Sequence, residues 1–113
     1  MAKIQCELNG DFDKILQELE DTIINGSMSA SKEDESNFNI GNCLCAVRVF
    51  ERYSMAGGNR VSLNITLLQN DNKIFISAIT AGGSQAVFWK FNTIGEESFL
   101  GCIEDVVNRY KVK

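Results

Sequence analysis

The chain has 113 residues, of which 44% are hydrophobic, so it is long and apolar enough for a single domain over residues 1–113. Its net charge is −4 and its Lys and Arg residues are scattered, which argues against nucleic-acid or anionic-membrane partners. Histidine is absent, which removes the commonest general base and the commonest metal ligand.

The first two predicted elements are a short strand and an amphipathic helix. Ile4, Cys6 and Leu8 alternate with polar residues, as in a strand with one wet face. Asp11 is a suitable helix N-cap, and Gly26 stands where the C-terminal cap belongs. The residues between them that recur at helical spacing are Phe12, Ile15, Leu16, Leu19 and Ile23.

The next stretch predicts a second strand followed by a loop. In residues 27–32, Met28 and Ala30 stand between serines, and this alternation indicates a strand. Residues 33–42 are acidic and polar, which favours a loop with Phe38 and Ile40 folded back onto the core.

Residues 43–93 predict four antiparallel strands joined by three short turns. The loop Ala56-Gly57-Gly58 would place Phe50 opposite Asn64. The turn Asn70-Asp71 would pair Leu67 with Ile74, and Gly82-Gly83 would pair Ile76 with Trp89. The predicted inward side chains are Cys43, Cys45, Val47, Val49, Val61, Leu63, Ile65, Ile74, Ile76, Val87, Trp89 and Phe91.

A second helix is predicted at the C-terminus. Thr93 and Glu96 match a capping box, which would begin the helix. The apolar stripe that follows consists of Phe99, Ile103, Val106 and Tyr110.

These elements predict an α+β fold of order β-α-β-β-β-β-β-α. It would contain a curved antiparallel sheet of about six strands with both helices packed on one face. The order resembles the helix-grip type, in which a curved sheet grips a C-terminal helix. The resemblance concerns shape and implies no ligand.

A second resemblance spans nearly the whole chain. Residues 51–54 (ERYS), 57–63 (GGNRVSL) and 77–86 (SAITAGGSQA) resemble a family of small bacterial proteins of unknown function. This resemblance implies no activity.

The four cysteines are interpreted as buried, reduced thiols, and no cofactor is expected. Cys43 and Cys45 share one face of a strand, whereas Cys6 and Cys102 offer no second pair for zinc. No adjacent base is evident that would activate a thiol. The glycine pairs lie between predicted strands, which favours hairpin turns over a phosphate loop.

Glu51 and Tyr53 have the core-facing parity of their strand, which is unusual for a glutamate. Either Glu51 forms an ion pair at the sheet rim, with Arg60 as a partner, or these residues contact a ligand at a pocket mouth.

The outward face of the predicted sheet is the clearest functional indication, because large apolar side chains on a wet face need a cover. Its candidate interface residues are Arg48, Phe50, Arg52, Phe75, Ile79, Phe88 and Lys90. The cover is either residues 33–42 or a twisted sheet edge of the same chain, a second copy in a homodimer, or a ligand or another partner.

We therefore predict a non-catalytic binding or interaction module that self-associates through the outer face. The alternatives are a small-ligand carrier with a cavity between helices and sheet, and a thiol-dependent enzyme. The N-terminus is too polar for a signal peptide, and no apolar run approaches the ~18 residues of a membrane span. A cytoplasmic location is therefore expected.

Overall fold

The computed structural model describes residues 1–54, 59–82 and 89–113, and these ranges form an α+β fold. Five strands are present in them: β1 (Ala2–Leu8), β2 (Ser31–Ile40), β3 (Cys43–Ser54), β4 (Asn59–Asn70) and β5 (Lys73–Gly82). The helices are α1 (Phe12–Gly26), α2 (Trp89–Gly101) and α3 (Glu104–Tyr110).

The five strands form one antiparallel sheet in the order β1-β5-β4-β3-β2. Two-residue turns join β2 to β3 and β4 to β5. Gly41 and Asp71 adopt positive φ angles of 57° and 55° in these turns, a conformation that Gly, Asn and Asp tolerate best. β2 and β1 therefore lie at opposite edges of the sheet.

All three helices contribute to one core on one face of the sheet, which we call the inner face. Asp11 caps α1, because its Oδ2 accepts a hydrogen bond of 3.0 Å from the Lys14 backbone N–H. Gly26 is the last helical residue, and Ser27 takes the C-terminal cap position predicted for the glycine. The fully buried core side chains include Ile15, Leu19, Ile23, Phe50, Leu63, Ile65, Leu67, Ile74, Ile76, Phe99 and Ile103.

The prediction for residues 27–42 is wrong in its boundaries. β2 runs through the predicted loop, and among the described strands only β3 pairs with it. An edge strand exposed on both faces needs no apolar alternation, so its polar sequence resembles a loop. Phe38 and Ile40 do not fold back onto the core, since they are 51% and 74% exposed.

The predicted sixth strand is wrong where the structure describes it. Trp89 and Phe91 lie in α2, and β1 takes the place beside β5, with Cys6 opposite Ile76. Gly83 and Val87 of the predicted hairpin lie outside the described residues. The predicted capping box falls inside α2, and the helical segment is interrupted at Cys102 and Ile103 before α3 begins.

The β4–β5 register differs from the prediction by two residues. The turn is Asp71-Asn72, so Leu67 pairs with Ile76 and Ile65 with Ala78. A shift of two residues keeps every side chain on its predicted face.

The β3–β4 register differs by one residue, which inverts the faces of β3. Ser54 pairs with Asn59, so four residues separate the strands where the prediction had three, and Phe50 lies opposite Leu63. The predicted outward positions of Arg48, Phe50 and Arg52 are therefore wrong. The predicted inward positions of Cys43, Cys45, Val47, Val49, Glu51 and Tyr53 are wrong for the same reason.

Candidate interaction surface and groove

The face of the sheet opposite the helices, the outer face, carries a continuous apolar row across four strands. Phe38 pairs with Cys45, Cys45 with Leu68, and Leu68 with Phe75. Phe38, Leu68 and Phe75 are 51%, 40% and 39% exposed. Cys45 is buried between its neighbours. We call these four residues the apolar row. It ends beside Glu7 on β1, which pairs with Phe75.

A second row of the outer face has opposite charges at its two ends. Asp34 on β2 pairs with Val49, Val49 with Asn64, Asn64 with Ile79, and Ile79 with Lys3 on β1. Asp34 and Lys3 are both exposed. We call this the charged row, and it runs parallel to the apolar row.

The structure separates the predicted interface residues into two groups. Phe75 and Ile79 lie on the outer face as predicted, and both are exposed. Phe50 is fully buried in the core, and Arg48 is buried on the same inner side. Phe88 lies outside the described residues, and Lys90 lies in α2.

Arg52 connects the inner face of β3 to α2. Its guanidinium donates a 2.8 Å hydrogen bond to Ser98 Oγ and lies 4.6 Å from the centroid of the Phe99 ring. Its Nη1 also lies 3.5 Å from Cys102 Sγ. Arg52 is thus part of the contact between sheet and helix.

Glu51 and Arg60 form an ion pair on the outer side of the sheet, 2.8 Å between Oε1 and Nε. The predicted partnership between these residues is present, and Tyr53 pairs with Arg60 across the strands and is half exposed. Arg60 also lies 3.9 Å from Glu33 of β2. Exposed pairs of this kind contribute little to stability.

A groove of about 420 Å³ opens between the start of α1 and the end of the β2–β3 hairpin. Its volume lies in the range of small-molecule sites. The lining residues are Phe12, Asp13, Leu16, Asn37, Phe38, Asn39, Leu44, Cys45 and Arg48.

Arg48 is the buried charge of this groove. Its Nη1 donates hydrogen bonds to the carbonyl oxygens of Val47 (3.0 Å) and Ser36 (3.4 Å). Its Nε lies 3.4 Å from Glu20 Oε1 and 3.8 Å from Glu35 Oε1. The sequence analysis placed Arg48 on the outer face because its register across the β3–β4 loop was wrong by one residue. The contact of Arg48 with Glu20 of α1 could therefore not be predicted.

Lys32 completes the charge cluster behind the groove. Its ammonium pairs with Glu20 at 3.0 Å and also with Glu35. The hydrogen bond from Lys32 holds the pKa of Glu35 below its ordinary value, and the Arg48 charge acts in the same direction. The two cations and two carboxylates make the cluster neutral overall.

The cysteines are free thiols in the structure. Burial raises the pKa of the Cys45 thiol, and burial also raises the pKa of Cys6, partly offset by the charge of Lys111.

No three His, Cys, Asp or Glu side chains within residues 1–54, 59–82 and 89–113 are grouped to hold a metal ion. None of the described helices has the length and apolar character to cross a membrane.

Comparison with known proteins assigns a family and no activity. A model for a family of unknown function, DUF6054, matches residues 1–111. The chain belongs to this family. Among curated proteins, none matches the sequence significantly. Membership agrees with the resemblance that the sequence shows to small proteins of unknown function.

Sequence reasoning missed several residues of the outer face, including Phe38, Asp34 and Lys3. Leu68 carried a usable signal, since it is an apolar residue at an outward position after the alternating run from Val61 to Leu67. The β2 residues carried none, because their strand was interpreted as a loop.

Proposed function

We propose that the protein is a non-catalytic interaction module that self-associates through its outer face. The observation that carries this proposal is the apolar row, in which three large side chains on three of four adjacent strands remain 39–51% exposed. A contiguous apolar patch on a soluble protein marks an interaction site.

The charged row supports a second copy of the chain as the partner. Two sheets can stack face to face around a two-fold axis parallel to their strands. This axis places the β1 edge of one copy over the β2 edge of the other. Lys3 of each copy then lies over Asp34 of its partner, and the interface contains this contact twice. The same axis places Leu68 over Leu68 and Cys45 over Phe75 at the centre of the interface, and it places Phe38 over Glu7, which ends the row on β1.

The size of the face is compatible with a reversible dimer. Five strands about 4.8 Å apart span roughly 24 Å, and seven residues along a strand span about 24 Å. Each copy would then bury roughly 600 Å², or about 1,200 Å² in total, which lies at the lower limit for specific interfaces. We therefore expect dissociation in the micromolar range.

The free cysteines accord with a cytoplasmic location, since reducing compartments keep thiols unpaired. The absence of histidine accords with a role in association rather than in catalysis.

Sedimentation equilibrium from micromolar to millimolar concentration tests the proposal. The wild-type protein should form a dimer, and Phe75→Asp should weaken it about 100-fold or more by burying an unpaired carboxylate. Ile24→Asp is the matched control, because Ile24 is an exposed apolar residue of α1. It should leave the dimer intact.

Two outcomes would contradict the proposal. One is a wild-type protein that stays monomeric at millimolar concentration. The other is a Phe75→Asp variant that loses its far-UV circular dichroism, since Phe75 would then belong to the core of its own chain.

A further inference from the structure

The groove between α1 and the β2–β3 hairpin shares Phe38 and Cys45 with the apolar row, whereas its polar residues belong to neither row. Its polar side consists of Arg48, Asn37 and Asn39, and its apolar side includes Phe12, Leu16 and Leu44. Asn37 and Asn39 pair with Ala46 and Leu44, so they lie on the inner side of the edge strand. Each carboxamide can both donate and accept hydrogen bonds.

Arg48 brings a charged donor to the wall of this groove. Only 5% of the residue is exposed, and its Nε is closed to solvent and lies within 4 Å of two carboxylates outside the groove lining. The rest of the guanidinium carries only N–H donors and no acceptor. Together with the two carboxamides, it favours a ligand that offers an oxygen acceptor.

The charges around Arg48 restrict the class of ligand. Glu20, Glu35 and Lys32 already balance the guanidinium. Asp13 adds a negative charge to the lining. An anionic ligand would approach three carboxylates, and a cationic ligand would approach the buried Arg48. An uncharged acceptor avoids both repulsions.

We infer that this groove binds a small, uncharged amphipathic molecule that carries a carbonyl or carboxamide group. Its oxygen accepts hydrogen bonds from the polar side of the groove, and its apolar body packs against the side that includes Phe12, Leu16 and Leu44. Because Phe38 and Cys45 belong both to this groove and to the apolar row, ligand binding is measured on a variant that does not self-associate.

Three ring compounds of nearly equal size test the inference. Benzamide is neutral, benzoate is an anion and benzylammonium is a cation. Each is titrated to the same millimolar concentration into ¹⁵N-labelled protein, and the side-chain amide signals of Asn37 and Asn39 are followed by NMR. The Phe75→Asp variant is used, so that self-association does not change during the titration.

Benzamide should give saturable shifts at both asparagines, and the two charged compounds should bind at least fivefold more weakly. Asn39→Ala should weaken benzamide at least fivefold, whereas Asn72→Ala, in the exposed β4–β5 turn, should not. Leu44→Gln should also weaken benzamide binding, and this variant leaves the Arg48 charge cluster intact.

Equal or tighter binding of benzoate or benzylammonium would overturn the inference, as would saturation that Asn39→Ala and Leu44→Gln leave unchanged. The absence of saturable shifts with benzamide would also overturn it. None of these results bears on the dimer, which sedimentation tests separately.

Discussion

The guanidinium of Arg52 lies over the ring of Phe99, 4.6 Å from its centroid, and joins β3 to α2. It also donates to Ser98 Oγ at 2.8 Å. Arg52→Met keeps the length of the side chain and removes both interactions. We expect a loss of about 1–2 kcal/mol in the free energy of unfolding, measured by urea denaturation. Arg60→Met, which breaks an exposed ion pair on β4, should cost less than about 0.5 kcal/mol. Equal losses for the two variants would contradict a larger contribution of the Arg52 contacts to stability.

The position of Phe50 on the inner face can be tested by comparing its truncation with that of Val49, its neighbour on β3. Phe50 is fully buried opposite Leu63, whereas Val49 lies on the outer face. Phe50→Ala should cost about 3–5 kcal/mol in the free energy of unfolding. Val49→Ala should cost less than about 1 kcal/mol. Both are measured by urea denaturation at one protein concentration, because a dimer makes stability concentration-dependent. A larger loss for Val49→Ala than for Phe50→Ala would instead support the register predicted from the sequence, in which Phe50 faces outward.

The thiol of Cys45 should react slowly, because burial between Phe38 and Leu68 raises its pKa. Cys43, two residues earlier, is only half buried. In Phe75→Asp monomers at pH 8, iodoacetamide should modify Cys45 about tenfold more slowly than Cys43, since the thiolate is the nucleophile. Cys43→Ala and Cys45→Ala variants assign the two rates by mass spectrometry. Rapid labelling of Cys45 at neutral pH would contradict its burial.

The lowered pKa of Glu35 predicts a specific acid sensitivity. A carboxyl whose pKa falls on folding stabilises the protein above its ordinary pKa and loses that contribution as the pH falls through the lowered value. Lys32 is the largest cause of the shift. Lys32→Met should therefore reduce the loss of stability between about pH 5 and pH 3, whereas Lys113→Met should not. Urea midpoints across this range measure the difference. Identical profiles for Lys32→Met and wild type would contradict the pairing.

Local signals predicted the elements whose side chains have one clear buried face. The alternation around Val61 fixed β4, and Asp11 with the spacing after Phe12 fixed α1. Most of β2 was interpreted as a loop because an edge strand without a buried stripe lacks that signal. Trp89 and Phe91 were assigned to a strand because apolar residues alternate there. Such a short alternation also occurs in helices, so it does not distinguish the two.

Which side chains form the candidate site depends on the strand registers, and short loops set those registers. A difference of one residue in the length of the β3–β4 loop decided which face each β3 side chain occupies. One extra residue between β3 and β4 moved Arg48 and Phe50 to the inner face and Cys45 to the outer face. The pairing of Phe38 with Cys45 could not be predicted without β2. Phe75 and Ile79 were placed correctly because an error of two residues preserves the face.

The central claim is that two copies stack with Lys3 over Asp34, and a mixture of two charge variants tests it most directly. Lys3→Asp makes both ends of the charged row acidic, and Asp34→Lys makes both ends basic. Each variant alone repels its own copy, whereas the two variants attract each other. Native mass spectrometry of an equimolar mixture should show the heterodimer well above the statistical half of all dimers. Homodimers and heterodimers in statistical proportions, or no dimers at all, would contradict the account.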